Sequence, residues 1–509
     1  MKTKKVVKAD PELKINRAVD DPHGLARSWL TSLEGHRYGV RVVHHRDEYL
    51  LWDRDAYRAV PVSEVRKLLA AHAERMFVRA HKKELKEWVD RAVKGEKPPQ
   101  LKKVGTRLVG DVLQALAAEC HLSGDICPPT WITDAGTIDA ERVAGHDPRT
   151  MLATPGGVLD LLAASAGGEA CLSDPSPKFF TRAAVGYGYS ETAYPLDWLE
   201  FLYEVFGVAQ NDDHEEESDA TKEGWASIRA LRQWFGYLLT ADTSQQKILM
   251  LLGRPRSGKG TIVRTLTKLL GEVNVHSIRL EDLSSRFGLF PLRDKTLGVI
   301  SDLRLSERAD RSAIVERLLS VSGEDAQPVE QKHRDQFNAN LPTRFVIVSN
   351  EVPHLVDASA ALASRLVVIR TATTFAGKED TDLKEKLSAE LPGILNWALG
   401  GLADLHQLGR FTQPKSAEED LRSLQDMAAP VGAFLRDRCK LDPAERTETR
   451  TLFDAYLAWC KAEGRRYTPT SERFGRDLRA NAAISTVQVR EKLTKKRRRY
   501  YLGIQLLPV

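Results

Sequence analysis

The sequence predicts an α/β chain: a parallel-sheet domain with a phosphate-binding loop, a mainly helical region ahead of it, and a small helix-and-hairpin module behind. Three observations predict this. From about Gln246, short apolar runs alternate with helical patterns, as expected of strands buried on both faces of a parallel sheet. One such run leads into Gly253-Arg-Pro-Arg-Ser-Gly-Lys259, a G-x-x-x-x-G-K loop that opens a helical stretch. Beyond residue 430, three helical patterns precede two strand-like runs that flank the basic segment Arg490–Arg499.

In chain order, residues 1–20 read as a basic tail and residues 21–245 as the N-terminal region. There the spacing predicts a helix over about 25–33, short strands around 38–49, and a helix from Ser63 to about Ala80. Lys94–Lys103 is a Lys/Pro-rich connection, Val109–Cys120 repeats apolar residues at helical spacing, and Pro128-Pro129 closes that segment. Thr154–Leu161 is a turn entering a short strand. Two amphipathic helices, Trp198–Phe206 and Ala226–Leu239, are separated by the acidic run Asp212–Asp219. The parallel-sheet domain covers 246–410, with strands expected at Ile248–Leu252, Thr296–Ile300, Arg344–Ser349 and Leu366–Arg370. A Gly/Pro/Ser-bearing connection, Gly409–Ser416, precedes a helix near Glu418–Asp426 in the linker region 411–430, and the C-terminal module follows at 431–509. Helices are expected there at 431–439, 450–463 and 472–481, and strands at 485–489 and 500–506.

Composition narrows the function classes. A chain of 509 residues holds about three or four folded units. With 42% hydrophobic and 28% charged residues it is neither disordered nor fibrous. No run approaches the ~18 apolar residues of a membrane span. The basic N-terminus leads into Ala9-Asp-Pro-Glu12, so no secretory signal is expected. The five cysteines are scattered and form no C-x-x-C pair, against a disulfide scaffold or a Cys-rich zinc site and in favour of a reducing cytoplasm. The net charge is only +5, but Arg490–Arg499 holds seven basic residues against one acid, as suits a polyanionic partner.

The loop carries the most specific chemistry. Its backbone N–H groups and the following helix N-terminus cradle phosphate oxygens, and Lys259 reaches the β- and γ-phosphates. Gly260 stands where Ser or Thr usually follows the lysine, so the hydroxyl for Mg²⁺ would come from Thr261, or a water would replace it. The run Thr296–Asp302 is an apolar strand ending in a carboxylate, suited to hold that ion. No second acid follows, because Leu303 and Arg304 come next, so the general base is unassigned. A third run, Arg344–Asn350, ends in an amide able to contact the γ-phosphate or attacking water. In the C-terminal module, three helices and a basic hairpin make a winged helix. Its third helix, with Arg473, Arg476 and Arg479, would enter a major groove, while Lys495, Lys496, Arg497, Arg498 and Arg499 of the wing meet phosphates.

Several stretches together resemble the helicase part of phage and plasmid (poxvirus-type) primase–helicases, of the superfamily-three, AAA+ class. They are Arg256–Ile262, Val321–Asp325, Val329–His333, Ser349–Pro353, Ala363–Arg365 and Glu390–Leu399, in matching order and spacing. Upstream, Leu231–Lys247 is similar to the helical collar that precedes such motors. The resemblance implies that Gly253, Arg256, Ser257, Gly258, Lys259, Gly260 and Thr261 form the phosphate loop, and that Thr261 and Asp302 hold magnesium. It implies Asn350 as sensor and Arg365 as an arginine finger completing a neighbouring subunit's ATP site. Lys332 and His333 would top a hairpin gripping single-stranded DNA in the ring's pore. Glu324 and Asp325 are weak candidates for the base.

The expected protein is thus an ATP- and Mg²⁺-dependent replicative DNA helicase of a mobile element, acting in the cytoplasm of a bacterial host. It would form a homo-oligomeric ring, a hexamer, on single-stranded and duplex DNA. No primase domain is expected: Asp53-Arg-Asp55 offers a D-x-D, but without a companion histidine motif it reads as a hairpin turn, so priming comes from a separate primase or is not needed. The alternatives are an ATP-binding initiator without helicase activity and a P-loop small-molecule kinase.

Overall fold

The computed structural model describes residues 18–33, 41–91, 97–168, 171–208, 218–301, 310–332, 336–351, 360–378, 380–428, 430–463, 470–482, 484–490 and 497–508. The chain divides into two compact units: Met1–Leu161 with Glu169–Gly188, and Leu162–Gly168 with Tyr189–Val509. Among the described residues, no helix is long and apolar enough to cross a membrane. The C-terminal module and the sheet domain both lie in the second unit.

The first unit centres on a four-stranded sheet in the order Ala56–Val60, Glu48–Asp53, Val42–His45, His121–Leu122. Period-2 alternation along Glu48–Asp53 sends Tyr49 and Leu51 to one face and Leu50 and Trp52 to the other. The first face is covered by helices Pro22–Leu33, Val62–Arg91 and Thr106–Glu119, through Leu25, Trp29, Leu69, Phe77 and Leu116. The second packs on Tyr57, Ile132 and Phe180. The N-terminal region is therefore mixed α/β, a correction to the mainly helical expectation. Its strands run only two to six residues. In the four-stranded sheet the turns are made by Arg46, Asp47 and Arg54 at φ +49°, +61° and +61°, so the glycines that mark most such turns are missing there. Asp53 and Asp55 flank one of these turns, and Asp55 pairs with Arg58 at 2.9 Å.

The second unit is organised by a five-stranded, all-parallel sheet. Its strands are β1 (Ile248–Leu252), β2 (Val275–Ser277), β3 (Leu297–Ile300), β4 (Arg344–Ser349) and β5 (Leu366–Arg370), in spatial order β2-β3-β4-β1-β5. Every residue of β1 is buried, consistent with helices on both faces. The edge strand β2 was not expected; only three residues long and partly exposed, it leaves no apolar run. Because β1 lies between β4 and β5, the chain direction of strand addition reverses there, which opens a crevice at the carboxyl ends of β1 and β4.

Two long helices buttress this sheet. Asp219–Leu239 starts at Ser218, whose hydroxyl accepts from the Thr221 amide at 3.2 Å, and buries Ile228, Leu231, Trp234, Phe235 and Leu238. It packs beside Leu391–Leu408. Arg344, buried at the start of β4, donates to the Thr240, Asp242 and Leu238 carbonyls at 2.8, 2.9 and 3.3 Å. One guanidinium thus caps the end of the first helix and ties it to the central sheet. The helix expected near Glu418–Asp426 is present as Lys415–Ala428; its Ala417 joins the sheet core and its Asp420 pairs with Arg370 of β5.

The C-terminal module has helices Pro430–Arg438, Thr449–Ala462 and Ser471–Asn481. Its antiparallel sheet has three strands, in the order Cys439–Glu448, Arg497–Leu506, Ser485–Arg490. Phe434, Tyr456, Trp459, Phe474, Tyr501 and Ile504 form its core. The first strand was not expected, because Pro443 and a register shift between Leu441 and Arg446 break its pattern. Both are tolerated because it is an edge strand.

Candidate functional site

The loop Gly253–Gly258, expected to bind phosphate, emerges from β1 into the crevice and enters helix Lys259–Leu270. Gly253 and Gly258 have φ of +155° and +87°, and both are crowded. A Cβ on Gly253 would fall 1.9 Å from Thr371 Oγ1, and one on Gly258 would fall 2.7 Å from Val205 Cγ2. Gly258 occupies the N-cap without a side-chain cap, leaving the helix N-terminus open to an anion. The loop is braced by the Arg256 carbonyl, which accepts from the Phe375 amide at 2.8 Å, and by Phe201 stacked on Phe375.

Lys259 is buried. Its ammonium donates to the Gly253 and Arg254 carbonyls at 2.6 and 2.8 Å, to Ser257 Oγ at 3.3 Å and to Asn350 Oδ1 at 3.4 Å. Burial lowers its pKa from the ordinary lysine value. Among the described residues it has no carboxylate partner, so it is a buried cation facing only dipoles, a setting that phosphate oxygens would complete. Asn350 reaches it because β4 and β1 are paired through Ser349 and Leu252, which brings the residues after both strands together. Thr371, just after β5, donates to Ser257 Oγ at 2.7 Å. Sequence reasoning missed that brace; its only signal was a hydroxyl residue directly after an apolar strand.

Thr261 Oγ1 accepts from Arg264 at 3.0 Å. Gly260 is exposed, and a Cβ there would meet only the flexible end of Arg264, at 3.2 Å. Asp302 lies outside the described residues, immediately after a strand-like segment that contains β3. Among the described residues, no group of three or more His, Cys, Asp or Glu gathers to hold a metal. A cavity of about 220 Å³ adjoins the loop helix, lined by Thr261, Arg264, Lys268, Asp380, Leu383 and Leu387 among others.

Arg365 lies elsewhere. It ends helix Ala360–Arg365 and precedes β5, whose Leu366 pairs with Ile248 at the start of β1. It is therefore at the amino edge of the sheet, whereas the loop is at the carboxyl edge. Its guanidinium donates to Ser322 Oγ at 3.3 Å. Beside it, Lys247 donates to the Ser364 carbonyl at 2.5 Å, and burial followed by the nearby Arg365 charge lowers the Lys247 pKa. Lys247 was not anticipated, since a lone lysine ahead of an apolar strand carries no pattern. Glu324 is on this same edge, accepting from Thr243, so neither it nor the adjoining Asp325 belongs with Lys259 of its own chain.

Lys332 is exposed in a turn between the hairpin strands Gln327–Val329 and Phe337–Ala339, while His333 lies outside the described residues. Glu330, at the base of that turn, pairs with Arg286. In the C-terminal module, Arg473, Arg476 and Arg479 are exposed on helix Ser471–Asn481, although Arg473 sits 3.9 Å from Asp477. On the central strand, Arg497 and Arg499 are exposed and Arg498 pairs with Glu448 at 3.0 Å; Lys495 and Lys496 are outside the described residues.

Comparison with known proteins bears on two segments and on the fold. Residues 251–365, from the phosphate loop to Arg365, match a family of unknown function (DUF5906). Residues 428–505 match the family described as Poxvirus D5 protein-like. The D5-like likeness is thus found, in the C-terminal module. The apo structure of the NrS-1 C-terminal region (305-718) is similar at a TM-score of 0.53 and 13% identity, over 95% of this chain and 99% of that one. The A-form apo structure of the same region gives 0.51 and 14%, over 95% and 100%. The mixed α/β fold is shared with that region.

Proposed function

We propose that this protein is an ATP-driven DNA helicase of the replication primase–helicase type, with an AAA+ motor of superfamily three working as a ring. The observation that carries the reading is the division of its polar and charged groups between the two edges of the sheet. Lys259 and Asn350 meet at the carboxyl edge of the sheet, while Arg365 and Lys247 stand together at the amino edge. A second copy of the chain, stacked head to tail, would bring the second pair against the first. The D5-like match of the C-terminal module supports a role in replication.

In this reading the triphosphate lies on the loop between Gly253 and Thr261, with Lys259 at its β- and γ-phosphates and the nucleoside toward the 220 Å³ cavity. Thr261 and Asp302 would hold Mg²⁺. A hydroxyl and a carboxylate suit that hard ion, which takes its remaining ligands from phosphates and water rather than from an all-protein cage. Bound there, it would neutralise charge on the phosphate oxygens. Asn350 orients the attacking water or the γ-phosphate. Arg365, with Lys247 beside it, neutralises charge that develops on the neighbour's γ-phosphate. The hairpin carrying Lys332 and His333 would face the pore and grip a single strand through its phosphates. The three helices and three strands of the C-terminal module suit a winged helix, with helix Ser471–Asn481 toward a major groove and Arg497 and Arg499 toward the backbone.

A labelled forked duplex tests this directly. The parent chain should separate the strands only when ATP and Mg²⁺ are present, and Lys259→Ala should separate none. DNA binding without ATP-dependent separation would favour an initiator instead, and phosphate transfer to a nucleoside monophosphate would favour a kinase.

A further inference from the structure

Helix Val62–Arg91 of the first unit has two distinct faces. One buries Val65, Leu69, Ala73 and Phe77 against the sheet. The other, at the interleaved positions Ser63, Arg66, Lys67, Ala70, Ala71 and Glu74, lines an open groove of about 740 Å³. The opposite wall is the segment from Leu101 to Val109, including Lys102 and Lys103. Positive charge dominates: Arg66, Lys67 and Lys103 have no ion-pair partner among the described residues, Lys102 pairs with Asp20 at 2.9 Å, and Glu74 is the one acid in the lining. Between these cations the surface is small and apolar, with Ala70, Ala71 and Val104, and with Leu101 left 47% exposed.

We infer that this groove is a track for single-stranded DNA, separate from the motor's hairpin and from the C-terminal module. The inference rests on the reading of the protein as a DNA motor. Cations along both walls match a phosphodiester backbone running between them. An apolar floor is useful to a single strand, whose sugars and base faces are uncovered, and not to a duplex, whose bases are stacked inside. With its cations engaged by phosphates, the lining leaves only Glu74 and the hydroxyls of Ser63 and Thr106 to read base edges, so binding would be largely indifferent to sequence. The first unit would thereby hold the strand that the motor moves.

The test uses the full chain and a fluorescein-labelled oligo-dT, with anisotropy measured across a salt series. Arg66→Glu, Lys67→Glu and Lys103→Glu together remove three phosphate contacts, so the slope of log affinity on log salt should fall by about two. Affinity at low salt should drop at least about tenfold, while ATP turnover without DNA and the thermal midpoint stay at parent values. Photocrosslinking with 4-thiothymidine in the oligonucleotide keeps the question answerable if the variant misfolds: adducts in the parent should map to 63–74 or 101–109. Parent binding with an unchanged slope in the variant, or adducts confined to the second unit, overturns the track and leaves the motor reading standing. A parent chain that binds no oligonucleotide at all overturns both.

Discussion

Replacing Arg365 by Ala isolates the proposed sharing of one ATP site between two copies. The pairing of Leu366 with Ile248 puts Arg365 level with Lys247, six residues before Gly253 along the same sheet. At ~3.3 Å per strand residue, that places it about 20 Å from the loop of its own chain, beyond the reach of an arginine side chain. ATP affinity of the isolated pocket should therefore change little. Hydrolysis should fall by about 10³-fold or more, as it does when arginine fingers are removed, equivalent to about 4 kcal/mol in the barrier. Phosphate release measured beside fluorescent-nucleotide binding separates the two effects. Mixing then tests the geometry. When Arg365→Ala and Lys259→Ala subunits assemble at random in equal amounts, about a quarter of head-to-tail interfaces join an intact pocket to an intact finger. Turnover should recover toward that fraction from two nearly inactive proteins. No recovery at any ratio, with mixed assemblies demonstrated, would refute the shared site.

Three further outcomes follow from other parts of the structure. Arg344→Met removes three hydrogen bonds to helix-end carbonyls while relieving a buried charge, so unfolding of the second unit should be easier by about 2–4 kcal/mol; an unchanged urea midpoint would contradict that role. Arg497→Glu with Arg499→Glu should weaken duplex binding and flatten its salt dependence by about two while leaving ATP turnover intact, and an unchanged salt slope would make the module a protein-docking one. Lys332→Ala with His333→Ala should keep basal turnover and ring assembly but lose stimulation by single-stranded DNA and strand separation. Unwinding at the parent rate would remove the hairpin from the pore.

Much of the parallel-sheet domain was legible in the sequence because parallel strands buried on both faces need unbroken apolar runs, and β1, β3, β4 and β5 have them. The loop was legible because only glycine tolerates the positions of Gly253 and Gly258. In the first unit the three helices and the Thr154–Leu161 turn were legible too, but most strands were not, since they run only two to six residues and the turns of the four-stranded sheet use Arg and Asp in place of Gly. In the C-terminal module the helices were visible at their apolar spacing, but an edge strand carrying Pro443 and charged residues presents no alternation. That strand also changes how the basic run should be probed. Arg497–Leu506 is the central strand and contributes Tyr501 and Ile504 to the core, so truncating it would unfold the module rather than remove only its charge. The juxtaposition of Lys247 and Arg365 was invisible for a different reason. It joins residues more than a hundred positions apart, and only the register of β5 on β1 brings them together.

The central claim is that ATP hydrolysis is coupled to a DNA strand in a multi-subunit ring. Steady-state ATP turnover with increasing single-stranded DNA, with molar mass measured on the same samples, tests it most directly. The account predicts turnover that rises severalfold with DNA, and activity that appears only at protein concentrations where the closed oligomer forms. Full turnover by a monomer, or turnover indifferent to DNA at every concentration, would contradict it.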